Sequence, residues 1–290
     1  MKDFNKKVAV ITGGASGVGL ALGHRLGREG ARIVVADIEA KALDAAVAEL
    51  KGAGIDAIGH QTDVSKAEQV EALAVRAFEH FSEVHMVFNN AGVGGGGAPT
   101  VWDTDVSAFK WAFDVNFYGV LNGINAFMPK LLQQNKEAVL SATSSGAGLI
   151  FPPTSPAYSC SKAAVVALME ILSFQLTMMG SPVKAQCIFP GPYVVDTNLF
   201  NSQRNAPKEY ASAQLGSGIT DMESFQKTME MMLGRRVDTT QPSEFAEYVF
   251  KGLQNDDFWV MPLHERSAQA LRDRFEGMIN NKNPQIPNML

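Results

Sequence analysis

TGGASGVG at residues 12–19 joins a short apolar run at 7–12 to a segment with helical periodicity at 18–29. Glycines at such a junction permit a tight turn and a close approach of the backbone to a ligand, so that a pyrophosphate can accept hydrogen bonds from amides at the helix N-terminus. A glycine-rich turn alone is weak support for a nucleotide site, but the strand before it and the helix after it strengthen this interpretation. The turn therefore predicts a dinucleotide site at the first strand-to-helix junction.

Short runs rich in β-branched residues alternate with longer helical segments through most of the chain. The predicted strands are 7–12, 32–37, 56–61, 84–89, 138–143, 184–189 and 258–261, and the predicted helices are 18–29, 39–53, 66–81, 105–134, 156–179, 241–254 and 264–280. Nearly continuous apolar strands are typical of a parallel sheet that is covered on both faces, and the alternation is typical of right-handed crossovers. The pattern predicts an α/β fold with a doubly wound parallel sheet.

The alternation stops after residue 192. Residues 193–237 contain no clear strand and carry Met222, Met229, Met231 and Met232, which predicts a helical lid over a substrate site. Residues 281–290 are rich in Asn and Pro and predict a flexible tail. We find no internal repeat and no linker, so residues 1–290 are expected to form a single domain.

The composition excludes several classes of protein. Of 290 residues, 46% are hydrophobic and 19% are charged, with a net charge of −5, so the chain can bury a large core and is not disordered. The basic pairs Lys6-Lys7 and Arg235-Arg236 are too few to predict nucleic acid as a partner. The longest uncharged run, 138–161, contains three prolines and does not predict a membrane segment.

The two cysteines, Cys160 and Cys187, lie far apart in the chain and form no CxxC motif. They predict neither a disulfide framework nor a metal site. The N-terminal sequence MKDFNKKVAVITGG passes directly into a strand and has no cleavage site for a secretory signal. We therefore expect a reducing, cytoplasmic location.

Asp37 ends the second predicted strand, 18 residues after Gly19. A carboxylate there can accept hydrogen bonds from both ribose hydroxyls of adenosine and would repel a 2′-phosphate. Neither Ser16 nor Ile38 offers the cation that a 2′-phosphate needs. These residues predict NAD rather than NADP; the alternative is that Asp37 only caps the end of the strand.

Five motifs resemble those of the short-chain dehydrogenase/reductase family, in the same order, from Lys7 to about Met261. TGGASGVG is similar to the cofactor turn TGxxxGxG of that family, and residues 89–92 are similar to its NNAG motif. Asp63-Val64 matches the pair that contacts adenine. Tyr158 and Lys162 form YxxxK, with Ser145 placed 13 residues before the tyrosine and Asn116 upstream on a long helix. The resemblance implies a Rossmann fold.

The resemblance also implies a set of cofactor-binding residues. They are Gly13, Ser16, Gly17, Val18, Gly19, Asp37, Ile38, Asp63, Val64, Asn90, Ala91, Gly92, Tyr158, Lys162, Pro190, Gly191, Val195 and Thr197. Pro190 and Gly191 would face the nicotinamide. The segment from Pro190 to Thr197 is about two residues longer than the family pattern. The contact with the carboxamide is therefore left open between Thr197 and the backbone of Val195.

The chemistry of alcohol oxidation explains the YxxxK residues. A tyrosine with a pKa of ~10 is a poor base near neutrality. Lys162 lies four residues on, on the same helical face, where its ammonium can favour the phenolate of Tyr158. By the resemblance, Lys162 also binds the nicotinamide ribose, Ser145 stabilises the substrate oxygen, and Asn116 holds a water that links Lys162 to solvent. Cys160 is expected to face away from this group and to pack as a small residue.

The segments expected around the nicotinamide are small or apolar. VGGGGAP at 93–99 and AGLIFPP at 147–153 carry no charged anchor, which predicts a bulky hydrophobic or aryl secondary alcohol and its ketone. The substrate residues are expected to be Gly94, Ala147, Phe151 and Tyr193, with the two aromatic rings stacking on an aryl group. MKDF at 1–4, Pro262 and residues 272–275 resemble the dehydrogenases that oxidise the benzylic (C-alpha) alcohol of lignin-derived aryl ethers.

Other interpretations remain. The same fold serves NAD(H)-sensing binding proteins, although the presence of Asn116, Ser145, Tyr158 and Lys162 favours an enzyme. A reductase of a bulky non-aromatic ketone, such as a steroid, is a second alternative. Residues 163–179 are apolar apart from a narrow polar stripe, so this helix is expected to contact a partner subunit in a homodimer or homotetramer.

Overall fold

The computed structural model describes residues 1–96, 100–210 and 219–287. Three stretches lie outside these ranges. They are the end of the VGGGGAP segment at 97–99, the middle of the predicted lid at 211–218, and the last three residues of the predicted tail, 288–290. The strands are β1 (Val8–Thr12), β2 (Arg32–Asp37), β3 (Ala57–Gln61), β4 (Met86–Asn89), β5 (Ala138–Thr143), β6 (Val183–Ile188), β7 (Val194–Val195), β8 (Thr239–Thr240) and β9 (Trp259–Val260). The α-helices are α1 (Gly17–Arg28), α2 (Ala40–Gly52), α3 (Ala67–Phe81), α4 (Val106–Phe113), α5 (Gly119–Gln134), α6 (Pro156–Met178), α7 (Met222–Leu233), α8 (Pro242–Asn255) and α9 (Glu265–Ile279).

Seven strands form one parallel sheet in the order β3-β2-β1-β4-β5-β6-β9. In this sheet β1 pairs with β2 on one side and with β4 on the other, with Ala9 opposite both Ile33 and Met86. The chain therefore changes direction across the sheet between β1 and β4, and the crevice at the carboxyl ends of these strands is where ligands bind in such sheets. This confirms the predicted doubly wound fold.

Helices cover both faces of the sheet and enclose two apolar cores. One core includes Leu73, Phe127 and Val165, which lie on α3, α5 and α6. The other includes Leu22 and Phe245, which lie on α1 and α8. Each fully buried apolar side chain of this kind contributes about 1.5–3 kcal/mol to the stability of the fold. The two cores therefore hold the strand ends in fixed relative positions.

The structure differs from the predicted elements in two places. The helix predicted over 105–134 consists of α4 and α5 joined by a π-helical turn, Asp114–Tyr118, which contains Asn116. The predicted lid also contains a strand, β7, which pairs in parallel with β8. Such two-residue strands have no periodicity that could reveal them in a sequence. Most of the rest of the described lid is helical, with 3₁₀ segments Asn198–Asn205 and Lys208–Tyr210 before α7.

Within the described ranges, α6 is the one helix that is long and apolar enough, by length and composition, to cross a membrane. The fold explains this composition. The inner face of α6 buries Val165, Met169 and Lys162, and the helix contacts β6. Its other side exposes further apolar residues, including Phe174 and Met178, so the helix is apolar on both sides.

Candidate active site

A cleft of about 1740 Å³ opens at the carboxyl ends of the strands. Its walls come from the glycine turn after β1, the ends of β2, β4, β5 and β6, the N-terminal part of α6, and the segment after β7. The predicted site residues on the wall are Gly13, Ser16, Gly17, Val18, Asp37, Ile38, Asp63, Val64, Asn90, Ala91, Gly92, Gly94, Ser145, Ala147, Tyr158, Lys162, Pro190, Tyr193, Val195 and Thr197. Four predicted residues are not part of the wall: Gly19, Asn116, Phe151 and Gly191.

The glycine turn fits a pyrophosphate. Gly13 and Gly17 have φ of +59° and +52°, a conformation that side chains rarely adopt. A Cβ on Gly13 would lie 2.8 Å from the Cα of Ala91, and a Cβ on Gly19 would lie 2.3 Å from the Gly13 carbonyl oxygen. Gly13 and Gly19 are therefore required for the turn to pack against the loop after β4. Gly13 and Gly17 line the cleft with backbone only, as a pyrophosphate site requires.

Hydrogen bonds fix the glycine turn to the NNAG motif. The Thr12 hydroxyl accepts from the backbone amides of Asn90 at 3.0 Å and Ala91 at 3.1 Å. The Asn90 side chain donates to the carbonyls of Thr12 at 3.0 Å and Gly13 at 3.2 Å. The two motifs that flank the switch point thus form one rigid unit.

Asp37 lies at the end of β2 on the cleft wall. Its two oxygens accept hydrogen bonds from the backbone amides of Ala15 and Glu39, each at 3.1 Å. Each carboxylate oxygen can accept a further hydrogen bond, so Asp37 retains capacity for ribose hydroxyls. The carboxylate therefore holds the turn in place and also lines the cleft. Its position is compatible both with a structural role at the end of the strand and with binding of a ribose.

Asn116 is fully buried beside Lys162. Its side-chain oxygen accepts from the Val93 amide at 2.8 Å, and its amide group donates to the Val93 carbonyl and the Ser161 hydroxyl, both at 3.0 Å. A Cβ on Gly92 would lie 3.2 Å from this oxygen and 3.3 Å from Lys162 Nζ. Because both amide hydrogens are used, a water held by the Asn116 side chain would have to donate to its oxygen. The predicted water relay remains a prediction.

Tyr158, Lys162 and Ser145 meet at one end of the cleft. Lys162 Nζ donates to the Thr143 carbonyl at 2.8 Å and lies 5.7 Å from the centre of the Tyr158 ring. Burial lowers the pKa of Lys162 to about 8. Burial also raises the pKa of Tyr158, while a hydrogen bond with Ser145 lowers it. An ammonium has three donors, so Lys162 keeps capacity for ribose hydroxyls.

The lengthened segment after β6 brings Thr197 to the glycine turn. A Cβ built on Gly17 would lie 3.0 Å from the Thr197 methyl carbon, and the Thr197 hydroxyl accepts from the Leu199 amide at 3.4 Å. The Tyr193 amide donates to the Thr240 hydroxyl at 3.1 Å, which fixes the start of the segment. Whether Thr197 or the backbone of Val195 contacts a carboxamide stays a prediction.

The predicted role of Phe151 is not supported by its position. Its side chain is 43% exposed, and the Arg274 guanidinium lies 4.5 Å from its ring centre. The neighbouring Ile150 is buried and lies on the cleft wall instead. The 3₁₀ turn at 146–148 sets which of the two residues points inward, and the sequence has no periodicity there to show it.

The apolar wall includes aromatic residues that the sequence analysis missed. They are Trp111, Phe189, Phe200 and Phe225. Phe200 and Phe225 stack with ring centres 5.4 Å apart, and Tyr193 packs against His264 at 5.2 Å. Phe225 and Met229 are four residues apart on α7, a helical spacing that could have identified them as one face of the lid.

Neither cysteine lines the cleft. Cys160 faces away from Tyr158 and Lys162 as expected, but it is exposed, so its predicted packing role is wrong within this chain. Cys187 is buried, and burial raises the pKa of its thiol to about 12. No cluster of metal ligands occurs among the described residues.

Known proteins are similar to this chain in sequence and in fold. Residues 7–208 match the family model described as short chain dehydrogenase. A C alpha-dehydrogenase from a Sphingobium strain is 31% identical over 285 residues, 98% of this chain and 89% of that protein. A short chain dehydrogenase/reductase from Burkholderia phymatum, solved in complex with NAD, has a TM-score of 0.88 at 33% identity and covers 100% of both chains. LigD from a Sphingobium strain, in its apo form, has a TM-score of 0.75 at 27% identity and covers 98% of this chain and 100% of that one.

These similarities agree with the order of the motifs in the sequence. They also agree with the position of the cleft, which lies where the strand order reverses between β1 and β4. The chain belongs to the short chain dehydrogenase family of oxidoreductases, which use NAD or NADP and whose members related to this chain act on alcohols and ketones.

Proposed function

We propose that this protein is an NAD-dependent dehydrogenase that interconverts a hydrophobic, aryl secondary alcohol and its ketone. The observation that carries the proposal is the meeting of Tyr158, Lys162 and Ser145 at one end of a cleft whose other end holds Asp37. A dinucleotide that spans this cleft would have its adenosine ribose at Asp37 and its nicotinamide beside Tyr158.

The described residues support proton abstraction at the tyrosine. The Tyr158 phenolate takes the hydroxyl proton of the alcohol, and the Lys162 ammonium stabilises that phenolate. The Ser145 hydroxyl donates a hydrogen bond to the substrate oxygen and stabilises the charge that develops on it. Bound NAD⁺ supplies the acceptor for the hydride that leaves the carbinol carbon. In the reverse direction Tyr158 returns the proton to the oxygen of the ketone.

The preference for NAD rests on charge. Asp37 faces the part of the cleft where a 2′-phosphate would lie, and Ser16 and Ile38 on the same wall carry no cation. Arg204 also lines the cleft, but its guanidinium is paired with Glu39 at 2.5 Å. The similarity to a relative solved with NAD is consistent with this preference.

The aryl substrate class rests on the apolar wall. Tyr193 and the stacked pair of Phe200 and Phe225 bring aromatic rings to the cleft wall, where a substrate ring can pack. The relative named C alpha-dehydrogenase is similar over nearly the whole chain and supports the same class. Bulky non-aromatic ketones, such as steroids, are the alternative for the same wall. A purely NAD(H)-sensing protein would have no use for the proton-transfer group at Tyr158.

We further propose a homodimer or homotetramer in the cytoplasm. The outer side of α6 exposes Ile171, Phe174 and Met178, an apolar surface that a second copy would cover. Both cysteines are free, in keeping with a reducing compartment. Light scattering at micromolar concentration should give a mass of two or four chains; the mass of one chain would contradict the assembly.

The proposed function is tested by reduced cofactor formation on a panel of aryl and aliphatic secondary alcohols, with NAD⁺ and NADP⁺ in parallel. We expect faster turnover with NAD⁺ and with aryl carbinols. Faster turnover of short linear alcohols would contradict the substrate class, and faster turnover with NADP⁺ would contradict the assignment of Asp37. Tight NADH binding without turnover of any alcohol or ketone in the panel would favour the sensing function.

A further inference from the structure

A segment of the lid crosses the cleft from the glycine turn to the end of β2. We call residues 197–205 the strap; it consists of Thr197 and the 3₁₀ helix Asn198–Asn205. Each of its nine residues lines the cleft. The strap therefore roofs the groove in which we propose the dinucleotide binds.

Among the described residues, the strap is attached to the rest of the fold at four points, one of which is the stacking of Phe200 on Phe225 of α7. Thr197 packs on Gly17 at the glycine turn. In the middle, the buried Ser202 hydroxyl accepts a hydrogen bond from the Gly94 amide at 3.0 Å. At the far end, Arg204 and Asn205 both bind the same carboxylate oxygen of Glu39, at 2.5 Å and 2.9 Å.

The attachment at Glu39 joins parts of the chain that are 165 residues apart. Glu39 lies two residues after Asp37, and its amide donates to the Asp37 carboxylate. The Arg204 guanidinium also donates to the carbonyls of Asn201 at 2.7 Å and Asn198 at 3.2 Å. Arg204 thus stabilises the 3₁₀ helix of the strap and also links the strap to the turn that carries Asp37, the carboxylate that we propose binds the ribose.

The hydrogen bonds from Arg204 and Asn205 also stabilise the negative charge of the Glu39 carboxylate. The hydrogen bond from Arg204 lowers the pKa of the Glu39 carboxyl, so this group is ionised throughout the neutral range. Glu39 and Arg204 keep about a third of their side-chain surface exposed, at 33% and 31%, so added salt can screen the pair. The other three attachments involve no charge and should not respond to salt in this way.

We propose that Glu39 is a positioning residue that acts through Arg204 and Asn205 to hold the strap closed over the adenosine end of the cleft, and so sets the rate at which NADH leaves. This inference rests on the proposed use of NAD. Cofactor release limits turnover in many enzymes with closing segments, so this contact would affect the overall rate.

The test is the dissociation rate of NADH, measured by stopped-flow loss of NADH fluorescence on displacement by excess NAD⁺. Glu39→Gln keeps the size of the side chain and removes its charge. We expect NADH to leave about three- to tenfold faster from this variant, in line with the loss of one partly exposed, charge-assisted contact. The association rate should change little. Added salt should speed release from the wild type and have much less effect on the variant.

Glu223→Gln is the matched control. It breaks a different ion pair within the described part of the lid, Glu223 with Arg236 at 2.7 Å, and neither residue lines the cleft. This variant should release NADH at the wild-type rate. Arg204→Gln tests the same contact from the strap side, and Glu39→Gln combined with Arg204→Gln should release NADH no faster than the more affected single variant.

The outcomes separate the two proposals. If the wild type binds NADH, and Glu39→Gln releases it at the wild-type rate with the same salt response, the proposed role of Glu39 is overturned. The proposed function then still stands. A wild type that binds no NADH contradicts the proposed function, and this inference with it. Equal acceleration in Glu39→Gln and Glu223→Gln would show a general loosening of the lid and would also overturn it.

Discussion

Lys162 Nζ donates to the Thr143 carbonyl at 2.8 Å and lies 5.7 Å from the centre of the Tyr158 ring. This relationship couples the end of β5 to the N-terminal part of α6, and it brings the buried ammonium of Lys162 to the face of the half-buried Tyr158 ring. Because burial disfavours the charged forms of both groups, each charge depends on the other and on the bound ligand. The protonation of this pair should therefore respond to any change of charge at either residue.

Lys162→Met should lower kcat/KM for alcohol oxidation by roughly 10²–10⁴-fold, since the proton acceptor loses the charge that stabilises it. The pH profile should also change. Without the ammonium the pKa of Tyr158 rises further, so the rise of kcat/KM with pH should move to higher pH. Lys110→Met removes an exposed lysine from α4 and should keep the wild-type profile. A Lys162→Met profile that coincides with that of the wild type would contradict this role.

Asp37→Ser combined with Ile38→Arg should shift the cofactor preference toward NADP by about tenfold or more, because a guanidinium replaces a carboxylate beside the 2′ position. The ratio of kcat/KM values for NADP⁺ and NAD⁺ measures the shift. Asp37→Asn keeps an acceptor oxygen and removes only the charge, so its ratio should fall between those of the wild type and the double variant. An unchanged ratio in both variants would mean that Asp37 serves only to fix the glycine turn.

Gly13→Ala should weaken NADH binding strongly or prevent folding. The residue has φ of +59°, and its new Cβ would lie 2.8 Å from the backbone of Ala91. Gly52→Ala is the matched control, because it adds a Cβ at the end of α2 with no atom within 4 Å. The control should be neutral or slightly stabilising. Fluorescence titration with NADH and thermal unfolding check both variants; wild-type binding by Gly13→Ala would contradict the account of the turn.

His85 should make the protein less stable as the pH falls from about 6.5 to about 4. Burial lowers the pKa of His85 from 6.5 to about 4, and its Nδ1 accepts a hydrogen bond from the Val8 amide at 3.2 Å. Between these two values the unfolded chain binds more protons than the folded one, so acid favours unfolding. The difference in the free energy of unfolding is on the order of 3 kcal/mol, at 1.36 kcal/mol for each pKa unit.

His85→Asn removes this titration and should give a flatter dependence of the unfolding free energy on pH between 4 and 6.5. Urea unfolding at several pH values measures it. His80→Asn, at an exposed position on α3, should keep the wild-type slope. Equal slopes for the wild type and His85→Asn would show that His85 does not carry the acid sensitivity.

The sheet and the cofactor turn could be predicted because their signals are local. Buried strands such as Val8–Thr12 are runs of apolar residues. The cofactor turn needs glycine where φ is positive, and those glycines are visible in the sequence. Tyr158 and Lys162 share a helical face because they are four residues apart. The two-residue strands β7 and β8 and the π-helical turn around Asn116 have no such signal.

Contacts between distant segments could not be predicted. Phe151 and Ile150 are neighbours of similar hydrophobicity, and the turn before them, rather than their composition, places Ile150 on the cleft wall. Glu39 and Arg204 are ordinary surface residues in the sequence, and only the folded strap brings them together. Phe200 and Phe225 stack across the lid for the same reason. Side-chain direction and long-range pairing depend on the whole fold.

The central claim is that Tyr158 transfers the proton in an NAD-dependent oxidation of an aryl alcohol. The most direct measurement compares the wild type with Tyr158→Phe, following NADH formation from NAD⁺ and an aryl carbinol, with NADH binding measured on the same preparations by fluorescence. We predict that Tyr158→Phe loses roughly 10²–10⁴-fold in turnover while it binds NADH about as tightly as the wild type. Wild-type turnover by Tyr158→Phe, with NADH binding intact, would contradict the claim.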